Sequence, residues 1–420
     1  MIPVLTPQEM GAVDAAAAEP VEVLIRRAAD AVARAAVEVL GGPGNNGGDG
    51  RVAGELLARR GAHVEVHGVD DAPDVLGPAD LVIDAAFGTG FRGTYDFPDP
   101  DGAPVLAVDI PSGVSGSTGR ASGTPAPAVR TVTFAALKPG LLLGDGPRLA
   151  GQVSVADIGL DVSGATSHLV TDADAVAWVP ARRIDDHKWR HAVRIVAGSP
   201  GMTGAARLAA GAAFRAGAGY VRLTVPGVDD PPAPVEAVVV AAPVDAWVDA
   251  VLDEASRFGA VAIGPGLGRG AAVGGQVRAA LAGLDRPVVL DSDGLWGLGA
   301  DAAAVLSARS APTVLTPHDG EFERLAGHPP GEDRVAATRD LAAATGAVVL
   351  LKGSTTVVAK PDGGVLLVRA GDARLATAGT GDVLTGVVAA LIASGADPWR
   401  GAAPPAHLHG RAALVGPARG

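Results

Sequence analysis

The chain of 420 residues carries 34 Lys plus Arg against 46 Asp plus Glu, a net charge of −12. That balance argues against a nucleic-acid partner and against an anionic membrane surface, both of which need a basic face. The absence of cysteine excludes disulfides, thiolate nucleophiles and Cys-ligated metals, and 48% apolar residues exclude a disordered chain despite 59 Gly and 32 Pro.

Residues 1–10 have no basic stretch before an apolar core, and no apolar run approaches the ~20 residues of a membrane span, so a soluble cytoplasmic protein is expected. Short apolar runs then alternate with Ala-rich helical stretches. Runs at 64–69, 81–86, 105–110 and 131–135 read as buried strands in the first part. Runs at 193–197, 220–225, 260–263, 288–290, 313–315 and 347–351 do so in the second, with helical stretches at 50–60, 205–216 and 384–393. Continuous rather than alternating apolar strands belong to sheets covered on both faces. The fold class is therefore α/β, with two domains, each a three-layer α/β/α arrangement around a largely parallel sheet. A polar stretch at 158–174 without clear periodicity separates them, giving domains 1–165 and 166–420. Among the basic residues only Lys138, Lys188, Lys352 and Lys360 are lysines. This reads either as a general bias towards Arg or as Lys kept where a compact ammonium is needed.

In the first domain the densest signal is GPGNNGGDG (42–50), just before a helical stretch. Glycines let backbone amides approach a ligand, and amides at a helix N-terminus favour anions such as pyrophosphate. Asp49 is placed to accept from a ribose hydroxyl; a plain Gly-rich turn is the competing reading. A second loop, DAAFGTGFRG (84–93), contains G-x-G-x-x-G, but it leads into TYDFPDPDG, which is no helix, so it is not a dinucleotide fingerprint. The third, AVDIPSG (107–113), sets Asp109 at a strand end, where α/β folds bind ligands.

With TFAALKPG (133–140), these strings resemble NAD(P)H-hydrate epimerase, which interconverts the R and S forms of NADH and NADPH hydrated at C6 of the nicotinamide ring. The resemblance implies that Asn45, Asn46, Gly47, Gly48, Asp49, Gly88, Thr89, Gly90, Phe91, Arg92, Gly93, Thr94 and Asp109 bind the hydrate. It implies that Asn46, Asp84 and Ser112 hold potassium, with Asp109 as the acid/base, on a Rossmann-like fold. This chain is shorter than the family pattern before GPGNNGGDG and between Val69 and Asp80, and lacks a clear strand before the first loop.

In the second domain AGTGD (378–382) precedes an apolar stretch, a Gly-rich turn feeding a helix whose free amides favour a transferring phosphoryl group. Asp382 is placed to take a proton from a substrate hydroxyl, against the plainer reading of an N-cap. KGSTT (352–356) offers a strand-end Lys and hydroxyls for nucleotide phosphates. GPGLG (264–268) offers close backbone approach. DSDG (291–294) pairs two carboxylates where magnesium is expected, and TPHDGEF (316–322) sets His318 at another strand end.

With HK (187–188), AGS (197–199), GMTGAA (201–206) and RAGAGY (215–220), these resemble the ribokinase-like fold and, more narrowly, ADP/ATP-dependent NAD(P)H-hydrate dehydratase. The resemblance assigns Ala205, Gly268 and His318 to the hydrate, Asp382 as base, and Lys352, Gly353, Ser354, Thr355, Thr356 and Gly381 to the adenine nucleotide. It implies Mg2+, K+, ADP (or ATP) as phosphoryl donor, and a homo-oligomer. Trp189 stands where the family has a Gly soon after Lys188, and is expected to alter how that loop covers the site. The two resemblances together imply a bifunctional repair enzyme for hydrated NADH and NADPH. The alternatives are a small-molecule kinase on the same second domain and a non-catalytic binding role for the first.

Overall fold

The computed structural model describes residues 1–33, 38–41 and 44–416. They form two compact units, Ile2–His168 and Leu169–Gly420, with Met1 counted in the second.

In the first unit, six strands make one parallel sheet: β1 (Glu38–Gly41), β2 (Val66–Gly68), β3 (Val82–Ala85), β4 (Val105–Val108), β5 (Arg130–Phe134) and β6 (Gln152–Ala156). Their order is β2-β1-β3-β4-β5-β6. β1 and β6 are absent from the sequence reading, which saw no clear strand ahead of the first loop. β3 and β4 are wholly buried, as their unbroken apolar runs require. Helices α1 (Pro7–Ala15), α2 (Val21–Ala33) and α3 (Asn45–Arg59) accompany them. Ala28 and Ala29 of α2 and Ala53 and Leu57 of α3 pack with Ile83, Leu106, Val108 and Val132 on one face. Val82, Val105 and Ala107 meet Leu76, Phe97, Ala126 and Ala128 on the other. The chain passes from β1 to β2 on one side and to β3 on the other. The strand order therefore reverses between β1 and β3, which opens a crevice at their carboxyl ends.

Nine strands of the second unit are β7 (Ala192–Val196), β8 (Tyr220–Thr224), β9 (Val238–Val239), β10 (Ala260–Ile263), β11 (Val288–Leu290), β12 (Thr313–Leu315), β13 (Val348–Leu351), β14 (Thr356–Ala359) and β15 (Val365–Val368). They run in the order β15-β14-β13-β12-β11-β10-β7-β8-β9, parallel from β13 to β9 and antiparallel across β14 and β15. The hairpin of β14 and β15 escaped the sequence reading: its two apolar runs flank a Lys360–Gly363 turn. The helices that matter for the site are α4 (Thr203–Arg215), α5 (Asp319–Ala326), α6 (Arg334–Thr345), α7 (Thr380–Ala393) and α8 (Pro398–Val415). α4, α7 and α8 bury Ala206, Ala209, Val388, Ala389, Ala402 and Ala403 against Ile195, Leu223, Ala262 and Leu350.

The α4–α7 seam is built of Ala and Gly, so the two backbones approach closely. A Cβ on Gly386 would run into the carbonyl oxygen of Ala209, and backbone cannot step aside. Gly386→Ala gains about 1 kcal/mol of helix propensity but incurs an overpacking cost of roughly 1–3 kcal/mol. A net loss of stability is expected, read as an earlier denaturant midpoint for the full chain; an unchanged or later midpoint would refute the close seam.

Candidate active sites

The crevice of the first unit is a cavity of about 570 Å³. The motif read as a loop is in fact helix: Gly44 is the N-cap and α3 starts at Asn45, so NNGGD forms its opening turns. Asn and Gly break helices only in the interior, where amides are paired; at the first positions the amides are free in any case. Gly42 and Pro43 lie outside the described residues.

Of the expected hydrate residues, Asn45, Asn46, Asp49, Gly88, Thr89, Gly90, Phe91, Arg92 and Asp109 line the cavity. Gly47, Gly48, Gly93 and Thr94 adjoin those residues in the chain without lining it. Gly47 is buried, Gly48 backs onto Ile25, and the Thr94 hydroxyl lies 3.4 Å from that of Ser122. Gly88 is the crossing point: a Cβ there would sit 3.4 Å from Asn46 Cγ and 3.4 Å from Asp109 Oδ2. A side chain would fill the space between them.

Asp109 directly follows β4 with φ +69°, the left-handed region that Asp tolerates better than most residues. Its amide donates to the Val132 carbonyl (2.7 Å). Its carboxylate faces the Lys138 ammonium at 2.6 Å and accepts from the Thr133 hydroxyl at 3.0 Å. Lys138 is 1% exposed and also donates to Thr133 Oγ1 (2.8 Å) and the Phe134 carbonyl (3.0 Å), so each of its hydrogens has an acceptor. Two further carboxylates, Asp14 of α1 and Asp49 of α3, share the cavity. Burial, joined by the charges of Asp109 and Asp14, pushes Asp49 up to about 8. Burial also raises Asp14, opposed by Lys138 and helped by Asp109.

Around the Phe87–Gly88 turn lie the three residues expected at a cation. Asp84 is 1% exposed and accepts from the Ser112 amide (2.7 Å), the Ser112 hydroxyl and the Ala86 amide (3.3 Å). Burial outweighs those bonds and pushes its carboxyl up to about 6. Ser112 Oγ also accepts from the Phe87 amide at 2.8 Å. Among the described residues, neither polar atom of the buried Asn46 amide has a hydrogen-bond partner.

In the second unit, strand-end loops meet the N-terminus of α7. Gly379 caps it with φ +92°, and Thr380, Gly381 and Asp382 occupy its first turn; the Thr380 amide donates to the Thr377 carbonyl (3.3 Å), while those of Gly381 and Asp382 sit too early in the helix to have an i−4 partner within it. The half-buried Asp382 is raised to about 6 by burial and by Asp291, against Lys352, with Asp293 adding to the rise. Beneath it Asp291, 2% exposed, accepts from Lys352 Nζ (2.8 Å), Thr316 Oγ1 (2.8 Å) and Thr385 Oγ1 (2.8 Å). A Cβ on Gly381 would lie 3.6 Å from Lys352 Nζ and 3.7 Å from Asp291 Oδ2.

These bonds give two motifs a structural role as well. Lys352 holds Asp291 and lies 3.5 Å from Glu321, because a buried carboxylate needs a counter-charge, and its ammonium stands beside Gly381 at the start of α7. Burial alone would lower the Lys352 ammonium, but Asp291 and Glu321 prevail and raise it. Asp291 and Asp293 do not form an open metal pair. Asp293 accepts from the Gly268 amide (2.8 Å) and Arg269 Nε (3.0 Å), and among the described residues no three His, Asp or Glu side chains converge on a metal site.

Ala205 opens α4 against Gly266, whose Cβ would come within 2.9 Å of it, and Gly268 has φ +88°. His318 caps α5, its Nδ1 accepting from Gly320 (3.1 Å) and Glu321 (3.3 Å), with its ring edge exposed. Gly353 and Ser354 are exposed at the β13–β14 connection, Thr355 is buried, and Thr356 begins β14. Arg334 ties that connection down by donating to the Lys352 carbonyl (2.8 Å) and to Asp319 (2.9 Å). Trp189 does not cover the site. It packs on Tyr220 (4.3 Å) and Phe258, at the amino ends of the strands and so the opposite edge from Asp382.

Sequence reasoning gave no role to Thr385 or Asp14 and left Thr133 and Lys138 as residues of one motif. The scarcity of lysine was the one signal pointing to Lys138.

Comparison with known proteins covers both units. A profile described as NAD(P)H-hydrate dehydratase matches residues 193–419. A second, described as YjeF-related protein N-terminus, matches residues 12–77 and 67–140, its two segments overlapping where the sequence is abbreviated. Relatives from several organisms carry the name bifunctional NAD(P)H-hydrate repair enzyme. That of Moorella thermoacetica is 37% identical over 93% of this chain and 85% of its own length. That of Mycobacterium tuberculosis is 41% identical over 84% and 78%, and that of Escherichia coli 33% over 91% and 81%. The ADP/ATP-dependent NAD(P)H-hydrate dehydratase of Bacillus subtilis, co-crystallised with ATP and Mg2+, is 34% identical. It superposes with a TM-score of 0.52 over 58% of this chain and 88% of its own.

Proposed function

The chain belongs to the family of bifunctional NAD(P)H-hydrate repair enzymes, and we propose that its first unit epimerises the R and S hydrates of NADH and NADPH while its second dehydrates the S form at the expense of ADP. The observation that carries the second activity is the raised, half-buried carboxyl of Asp382 in the first turn of α7, beside the Gly381 amide. Hydroxide is a poor leaving group, so the hydrate must first be phosphorylated. Asp382 takes the proton of the C6 hydroxyl, and the oxygen's electron pair attacks the terminal phosphorus of ADP, releasing AMP. The α7 amides hold the phosphoryl oxygens as charge moves across them. Phosphate then departs with the C–O electrons, C5 loses a proton, and the nicotinamide double bond returns.

Lys352, Gly353, Ser354, Thr355, Thr356 and Gly381 remain the expected nucleotide contacts, and Ala205, Gly268 and His318 the expected hydrate contacts. Magnesium supplies charge neutralisation on the nucleotide's phosphates. It commonly keeps several waters and needs only one or two protein carboxylates, which suits a site whose Asp291 and Asp293 are already engaged. In the first unit Asn46, Asp84 and Ser112 fit a large, weakly hydrated cation such as potassium. They offer an unpartnered amide oxygen, a buried carboxylate and a hydroxyl around one turn. The cation would hold Asn46 and the turn in place beside Asp109, the residue we assign to proton transfer.

The test is recovery of reduced-nicotinamide absorbance from mixed R and S hydrate with Mg2+, K+ and either ADP or ATP. Full recovery with ADP is the expected outcome. Recovery that stops when the S form is exhausted would overturn the epimerase assignment, and release of a stable phosphorylated product would replace dehydration by a kinase activity.

A further inference from the structure

Epimerisation, the reading on which this inference rests, needs a proton donor as well as a base. The hydrated carbon bears both a hydroxyl and the ring nitrogen, and opening the ring removes one proton and adds another elsewhere. The cavity contains the means for both. Three carboxylates, Asp14, Asp49 and Asp109, share it with one buried ammonium. Lys138 has given its hydrogens to Asp109, Thr133 and the Phe134 carbonyl, so its charge is committed to Asp109. Arg92, the other cation at the cavity, is exposed and donates to the carbonyl of its own neighbour Phe91. Asp14 sits on an exposed turn of α1. Asp49, 7% exposed, sits past the first turn of α3, where the favourable field of the helix N-terminus has faded.

We propose that Asp49 is the general acid of the first unit, protonating the ring nitrogen of the hydrated nicotinamide while Asp109, paired with Lys138, takes the hydroxyl proton. The O–H electron pair forms a carbonyl at C6, the C6–N1 bond breaks with its electrons moving to N1, and the proton of Asp49 joins N1. Rotation about C5–C6 turns the other face of the aldehyde to the nitrogen. N1 adds back, its proton returns to Asp49, and Asp109 returns its own to the oxygen, leaving the enzyme unchanged and C6 inverted. The position of Asp49 near 8 fits this role: a carboxyl that keeps its proton at neutral pH can give it away. The same burial and the same two neighbouring charges, from Asp109 and Asp14, produce both the elevated value and the site.

The test uses the full chain without nucleotide, so that only R–S interconversion is followed, by NMR of the two epimers. Wild-type kcat/KM is expected to fall above about pH 8 as Asp49 loses its proton. Asp49→Asn keeps an acceptor for a ribose hydroxyl but has no acidic proton. It should lower kcat about 100-fold or more, leave KM within a few-fold, and abolish the alkaline decline. Asp49→Glu should restore part of the rate and the decline with it. A rise in KM at unchanged kcat would make Asp49 a ribose contact and overturn the assignment. A wild-type profile flat through pH 8 would overturn it whether or not the variants fold. If the wild type interconverts nothing at any pH, it is the epimerase reading itself that fails.

Discussion

Replacing Asp382 by Asn should reduce nucleotide-driven recovery of NADH from the S hydrate by about 10²–10⁴-fold, the usual contribution of a positioned general base. KM for the hydrate should change little, because Asn fills the same volume and can still accept a hydrogen bond. The carboxyl is raised to about 6 by burial and by Asp291, so it is a base only once deprotonated. Wild-type kcat should therefore fall as pH drops through about 6, and the variant's residual rate should lack that acid limb. The stability effect runs the other way. A carboxyl whose folded-state value lies above its unfolded value favours the folded state at low pH, and that advantage is lost as pH rises through about 6. At neutral pH Asp382 is therefore a strained anion facing Asp291 and Asp293, and Asn should raise the melting temperature while lowering activity. A variant that keeps more than a tenth of wild-type kcat would show that the base lies elsewhere.

How far the sequence reveals this molecule depends on which interactions a local pattern can encode. The unbroken apolar runs at 105–110, 260–263 and 347–351 mark buried parallel strands because a doubly covered strand admits no polar face. The short hairpin of β14 and β15 has the same composition, and only its pairing makes it antiparallel. Gly-rich strings mark where backbone meets ligand, and GTGD and GTGF both lie at strand-end or helix-start positions, as their glycines require. Partners brought together from distant segments are invisible at that level. Asp291 meets Lys352 across 61 residues and Thr385 across 94, and nothing local in DSDG distinguishes a buried counter-ion from an open metal ligand. NNGGD could be taken for a loop because propensity counts Gly and Asn against a helix, although a first turn tolerates both.

The largest stability effect should come from Lys138→Met. Lys138 is 1% exposed, and its ammonium lies 2.6 Å from Asp109, so deleting it leaves that carboxylate without its counter-charge, held by the Thr133 hydroxyl alone in a cavity that also contains Asp14 and Asp49. Removing one partner of a buried pair typically costs about 3–5 kcal/mol. The backbone adds to this: Asp109 is held at φ +69° by the hydrogen bond from its amide to the Val132 carbonyl and by the ion pair, and strain of this kind persists only where the surroundings fix it. Denaturant unfolding should show the loss in the first unit, and R–S interconversion should vanish with it. Asp109→Asn should cost less, since the Asn carbonyl still accepts from Lys138 and Asn tolerates the left-handed region. In the double variant the charge left behind by Lys138→Met is gone as well, so the cost should fall below the sum of the two single losses. Such non-additivity separates an ion pair that sets the reacting carboxylate from two residues that merely fill space. Strict additivity, or a Lys138→Met cost under about 1 kcal/mol, would put Lys138 in the second class and leave Asp109 to be positioned by Thr133 and its own backbone.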